Sequence, residues 1–254
     1  MHDYIRSMIS EVERQHGVKV LYACESGSRA WGFASPDSDY DLRFVYLAPL
    51  DWHLSLQQQA DTIEFFADNE LDLAGWELAK TLRLFHSCNL AFNEWLDSPV
   101  VYHDDGSLAG QLRDLVPQYF NPQKAFHHYR STALRKLGES LPADPRGIKS
   151  LFYIIRPLCA CQWVLEHGSM PPTAFAALRS GISLPDAVAA AIDELLEHKL
   201  RAAEQQPVSP PAELAIWIGD SMNDAQGRAA GLAVNASKSW EPLNLILRNY
   251  LRQS

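Results

Sequence analysis

Gly27 and Ser28, Asp39 and Asp41, and Asp72 are the residues whose types and order could do chemistry. From Glu25 to Arg43 the chain reads ESGSRAWGFASPDSDYDLR. Strand side chains alternate faces, so Asp39 and Asp41 point the same way at the start of an apolar run. Two carboxylates side by side repel, and a cation between them relieves the repulsion; all-oxygen ligation suits Mg²⁺ or Mn²⁺. A third carboxylate is wanted from a neighbouring strand. Asp72, between Leu71 and Leu73, has that setting; Glu64 is a weaker candidate, and Glu70 would face the same side as Asp72.

These parts suit work on phosphates. Backbone N–H groups at the Gly27-Ser28 turn can cradle the β- and γ-phosphates of a triphosphate. Gly27 and Gly32 allow close backbone approach. Asp39 and Asp41 would hold two metal ions, and Asp72 would complete the site and could accept a proton from an attacking hydroxyl. The passage has neither the GK[ST] of a Walker A loop nor a GxGxxG fingerprint. Arg29, Arg43 and Ser38 border it: Arg29 and Ser38 are candidates for nucleotide contact, and Arg43 for phosphate or for pairing with an aspartate. A second cluster, Lys149, Tyr153 and Arg156, falls at i, i+4 and i+7 of one expected helix. Two cations around an aromatic suit a triphosphate and a base, or a nucleic-acid backbone, and this face is expected to close the cleft over the nucleotide; the alternative is a solvated face.

The elements that must position these residues follow from periodicity. Ile5, Met8, Ile9 and Val12 mark an amphipathic helix, and VKVLYA (18–23) a buried strand. YDLRFVYL reads as a second strand, and DTIEFF and ELDL as two short ones around an Asp-Asn turn. From Gly75 the period becomes helical, interrupted by VVYH near residue 100. Pro157 is expected to kink the longest helix. The sequence therefore predicts an α+β protein: a small mixed-sheet domain over 1–104, then an all-helical domain over 105–254.

Composition limits the partners. The 254 residues are 47% hydrophobic and 21% charged with net charge −9, which suits a folded core and argues against a general nucleic-acid coat. Charge is uneven: from Lys124 to Arg156 there are seven basic residues and two acids, consistent with a local anion site or a solvated helix face. His127 and His128, adjacent on a helix, point in different directions. Cys24, Cys88, Cys159 and Cys161 lack metal or disulfide spacing and read as reduced core thiols of a cytoplasmic protein. No membrane span and no signal peptide are expected.

GSRAWGFASPDSDYDLR resembles the nucleotidyltransferase signature of the DNA polymerase β superfamily. More narrowly, CESGSRAWGFASPDSDYDLRFVY, ELDLAGWEL and LFYIIRPLCACQWV resemble the RNA repair pathway DNA polymerase β family, over roughly residues 15 to 165. The resemblance implies an NTP-using, Mg²⁺-dependent nucleotidyltransferase with an appended helical domain. Gly27 and Ser28 carry over as phosphate binders, and Asp39, Asp41 and Asp72 as metal ligands. The acceptor stays open: an RNA end leads, with a protein, a small molecule or a non-catalytic nucleotide-binding role as alternatives.

Overall fold

The computed structural model describes residues 1–35, 38–67, 71–201, 207–223, 225–233 and 238–253. Glu70, expected to face the same side as Asp72, lies outside them. In chain order the elements are α1 (His2–His16), β1 (Lys19–Glu25), α2 (Gly27–Trp31), β2 (Tyr40–Leu47), α3 (Leu50–His53), β3 (Thr62–Ala67) and β4 (Leu71–Glu77). Then come α4 (Leu78–His86), α5 (Leu90–Leu96), β5 (Val101–Asp104), α6 (Leu108–Tyr119), α7 (Pro122–Leu137), β6 (Arg146–Gly147) and α8 (Ile148–His167). The chain ends with α9 (Phe175–Ser180), α10 (Asp186–Arg201), β7 (Pro207–Val208), α11 (Ala212–Met222), α12 (Ala225–Ala229) and α13 (Glu241–Leu251).

The fold is α+β, built on a mixed five-stranded sheet in the order β3-β4-β2-β1-β5. Among the described residues, only the β2–β4 pair of this sheet is parallel. The cause is topological. After β2 the chain skips one strand position, lays β3 at the edge, and turns back so that β4 fills the gap running the same way as β2.

Period-2 alternation splits the strands into two faces. Leu42, Phe44, Tyr46, Leu71 and Leu73 pack with Ile5, Ile9 and Val12 of α1. Val45 and Leu47 pack on the other face with Leu82 and Phe85 of α4, Trp95 of α5, Leu112 of α6 and Ile246 of α13. A bulge between Val20 and Tyr22 explains why the neighbours Leu21 and Tyr22 share that second face. The helical reading from Gly75 is corrected: Gly75, Trp76 and Glu77 continue β4, and α4 begins at Leu78. A Cβ on Gly75 would overlap the Phe44 ring, so the glycine lets that ring lie across the sheet. Glu77 then caps α4, its Oε2 accepting from Ala79 N–H at 2.5 Å.

The chain divides into two compact units. The first holds Met1–Ala30, Asp39–Tyr119 and Ala236–Ser254; the second holds Trp31–Ser38 and Phe120–Asn235. Against the single boundary expected at 104, the first unit also takes in α6 and, after a long excursion, α13, which packs on α4. The second unit takes an eight-residue piece from inside the signature itself. Its reason is aromatic packing: Phe33 is fully buried, with ring centroids 5.1 Å from Phe152 and 5.5 Å from Phe175.

The second unit is otherwise helical, with α7 lying along α8 and a short β6–β7 ladder. Helix α8 runs on through Pro157 as one element. By length and composition it is apolar enough to cross a membrane, which the sequence reading did not anticipate, but 67% of its apolar window is buried inside the protein, as in a core helix. Burial pushes the Cys24, Cys159 and Cys161 thiols up to about 12, so they stay protonated and inert.

Candidate active site

The parallel register of β2 and β4 sets Asp41 directly beside Asp72. Both lie opposite in face to Leu42 and Leu71, whose side chains pack under α1. Arg43, two residues on from Asp41, shares their side: its Nη2 donates to Asp72 Oδ2 at 2.8 Å and reaches Asp41 Oδ1 at 3.4 Å. All three side chains are partly exposed.

Gly27 approaches the other oxygen of the Asp41 carboxylate, Oδ2. Its φ is +62°, and a Cβ there would overlap Asp41 Oδ2 and stand 3.2 Å from Asp41 Cγ. The turn is tied to the strand by main-chain bonding, Ser26 N–H donating to Asp41 O at 2.8 Å. Gly27 opens α2, whose first N–H groups have no partner within the helix. Ser28, next along, is buried.

Arg29 folds back from α2, with Nε donating to Asp39 O at 3.1 Å and the guanidinium 3.7 Å above the Tyr40 ring. That bond holds the main chain of Asp39 where it enters β2. Asp39 itself is exposed, just ahead of the strand. Among the described residues no three His, Cys, Asp or Glu side chains form a ready cation cage. The structure thus brings Asp41 and Asp72 together and leaves Asp39 outside a closed cluster. Glu64 is exposed on β3 opposite Ala74, one strand further from β2, and does not join the pair.

Glu25 was missed by the sequence reading. It is buried at the end of β1, where Oε1 accepts from Asp41 N–H at 2.7 Å and Oε2 accepts from the Tyr102 hydroxyl. Burial raises its carboxyl pKa, against the lowering effect of those two hydrogen bonds. Glu25 thereby fixes the backbone of a candidate ligand from behind. An acid closing an apolar strand was the one available signal.

The second cluster and Ser38 lie in the other unit. Tyr153 is half-buried, edge-on to Trp31 at 5.0 Å, with Lys136 Nζ 5.3 Å from its ring centroid. Lys149 is half-buried on the same helix. Arg156 is 2% exposed, its guanidinium 4.4 Å from the Trp31 centroid and Nη2 donating to Thr173 O at 3.3 Å. It packs as a core residue, unlike the open cation its spacing predicted. The Ser38 hydroxyl accepts from Ser35 N–H at 3.0 Å, and buried Lys199 donates to Ser35 Oγ at 3.0 Å. In this structure Ser38 bonds back to Ser35, its N–H donating to Ser35 O at 3.1 Å.

The profile of the RNA repair pathway DNA polymerase beta family, RlaP, matches residues 1–249. The chain belongs to that family. Membership places it among the nucleotidyltransferases of the polymerase β superfamily. A protein of Bacillus subtilis (strain 168), YcgL, described as uncharacterized, is 42% identical over 204 residues, covering 80% of this chain and 78% of that protein. A solved nucleotidyltransferase-like protein from Exiguobacterium sibiricum 255-15 aligns with all of this chain and 80% of its own, at 12% identity and a TM-score of 0.32. That overlap is too low to carry an argument. In this RlaP-family chain the donor chemistry fits a divalent cation: two carboxylates in register, oxygen donors only, with Asp41 Oδ2 seated in the space where Gly27 carries no side chain.

Proposed function

We propose that the chain is an enzyme that moves a nucleoside monophosphate from a nucleoside triphosphate to an acceptor hydroxyl, with an RNA end as the acceptor. The reading is carried by Asp41 standing beside Asp72 with Gly27 bare against it. Asp41 and Asp72 would hold divalent ions, two Mg²⁺ or Mn²⁺, with Asp39 joining them when substrate binds. Such ions supply charge neutralisation on the polyphosphate and a lowered pKa for the attacking hydroxyl.

The chain's own groups do the rest. The N–H groups at Gly27 and Ser28 receive phosphate oxygens, and Arg29 lies beside them as a further cation. The acceptor oxygen bonds to the α-phosphorus while the bridge to the β-phosphorus breaks, and pyrophosphate leaves with the electron pair. The hydroxyl proton passes to the Asp72 carboxylate. Lys149 and Tyr153, with Lys136, offer cationic and aromatic chemistry on their own unit for nucleotide or RNA. The choice of RNA rests on the family and on the basic stretch 124–156. A reducing, cytoplasmic setting is proposed from the four buried cysteines.

The test is to follow the label from each of four α-³²P triphosphates, with Mg²⁺ and an RNA oligonucleotide. The proposal expects label on the RNA. Label on protein would move the acceptor to a polypeptide, and nucleotide binding with no pyrophosphate released would reduce the chain to a regulator.

A further inference from the structure

What lies between Asp41 and Asp72 in this structure is a cation of the chain's own. Arg43 is fixed by bonds that do not involve the carboxylates: Nη1 donates to Leu42 O at 3.0 Å and to Asp72 O at 3.1 Å. With the guanidinium so anchored, Nη2 lies 2.8 Å from Asp72 Oδ2 and 3.4 Å from Asp41 Oδ1. One nitrogen thus meets one oxygen of each carboxylate. Asp41 keeps its other oxygen, Oδ2, toward the bare Gly27.

Adjacent strands lie about 5 Å apart, so two ionised carboxylates in register pull away from each other unless something holds them. We infer that Arg43 is a positioning residue and resident counter-cation, holding Asp41 and Asp72 in ligating register before any divalent ion arrives. The inference rests on the divalent-ion reading of the site given above. It has a consequence that runs against ordinary loss of function. Arg43 steadies the metal-free protein and, by the same charge, weakens binding of the ion, because part of the repulsion that an ion would relieve is already relieved.

Removing the charge therefore moves two measurements in opposite senses. Arg43→Met and Arg43→Gln are the neutral variants, Gln retaining a polar side chain; Arg43→Lys keeps the charge without the forked geometry. Mn²⁺ alone is the probe, its free ion counted by paramagnetic resonance, and melting is followed in chelator and in excess Mg²⁺. Neither readout needs nucleotide or turnover. A unit charge about 5 Å from a divalent ion corresponds to roughly tenfold in affinity even at the dielectric of water.

The expected pattern is a neutral variant that melts several degrees lower in chelator, binds Mn²⁺ roughly tenfold tighter, and gains more from Mg²⁺ than wild type. The lysine variant should bind Mn²⁺ nearly as wild type does. If the neutral variants melt lower but bind Mn²⁺ no more tightly, while Asp72→Asn loses the ion, the metal site stands and the role of Arg43 is overturned. If wild type and variants all fail to bind Mn²⁺, the divalent-ion reading falls and takes this inference with it.

Discussion

The Asp41 carboxylate occupies the space where residue 27 would carry its side chain. A Cβ on Gly27 would overlap Asp41 Oδ2, and the residue's φ of +62° is itself a conformation that L side chains rarely adopt. Two independent demands therefore fall on one glycine. The left-handed backbone alone costs an alanine about 1–2 kcal/mol.

Gly27→Ala is accordingly expected to lose more function than stability. Urea unfolding should show a loss of roughly 1–3 kcal/mol. Nucleotidyl transfer should fall further than that, because Asp41 must rotate away from the position Gly27 leaves for it. A variant with full transfer activity would mean that the Asp41 position does not matter to the reaction.

Glu25 gives a graded prediction. Alanine leaves Asp41 N–H and the Tyr102 hydroxyl without their acceptor in a buried place, at a cost of about 2–4 kcal/mol. Glu25→Gln keeps an acceptor for Asp41 N–H and should recover most of that stability. Denaturant midpoints of the two variants compare directly. Equal losses would show that the charge, and not the hydrogen bond to Asp41, is what counts.

Glu77 makes stability depend on pH. Burial raises its carboxyl pKa, and Oε1 lies 3.4 Å from His53 Nε2, whose own pKa burial lowers. A raised carboxyl holds its proton longer in the folded than in the unfolded state. Its contribution is thus complete below the ordinary value of 4.5 and is lost as pH rises through the folded value. Glu77→Gln keeps an acceptor for the α4 cap without that loss. Melting curves from pH 4 upward should show wild type falling relative to the variant; parallel curves would put the pH dependence elsewhere.

Phe33 belongs by sequence to the signature and by packing to the second unit. Phe33→Ala opens a cavity among Phe152 and Phe175 and should cost that unit about 3–5 kcal/mol. Hydrogen exchange on α8 is the readout. Unchanged protection there would contradict a core role for this residue.

The local parts of the site were legible and the long-range parts were not. A strand, a Gly-Ser turn, Asp-x-Asp and a lone aspartate between leucines leave short, periodic signals, so Gly27, Asp41 and Asp72 were readable in order. Glu25 is 77 residues from Tyr102, and Ser35 is 164 residues from Lys199; neither bond has a local trace. The same holds for Phe33: an aromatic in a loop reads alike whether it meets solvent or another unit's core. Trp76 and Glu77 looked helical because the amphipathic run of α4 follows them directly, whereas β-pairing with Tyr46 holds Glu77 in the sheet. Lys149, Tyr153 and Arg156 share a helix as their spacing implied, but spacing does not reveal that Arg156 is roofed by Trp31.

The most direct test of the central claim is pyrophosphate release by wild type, Asp41→Asn and Asp72→Asn, each given NTP, Mg²⁺ and an RNA with a free 3′-hydroxyl. Both substitutions keep side-chain size and remove one of two neighbouring negative charges, so both proteins should fold. Wild type is expected to release pyrophosphate, and each variant at least about a hundredfold less. Release at the wild-type rate from either variant would contradict the claim.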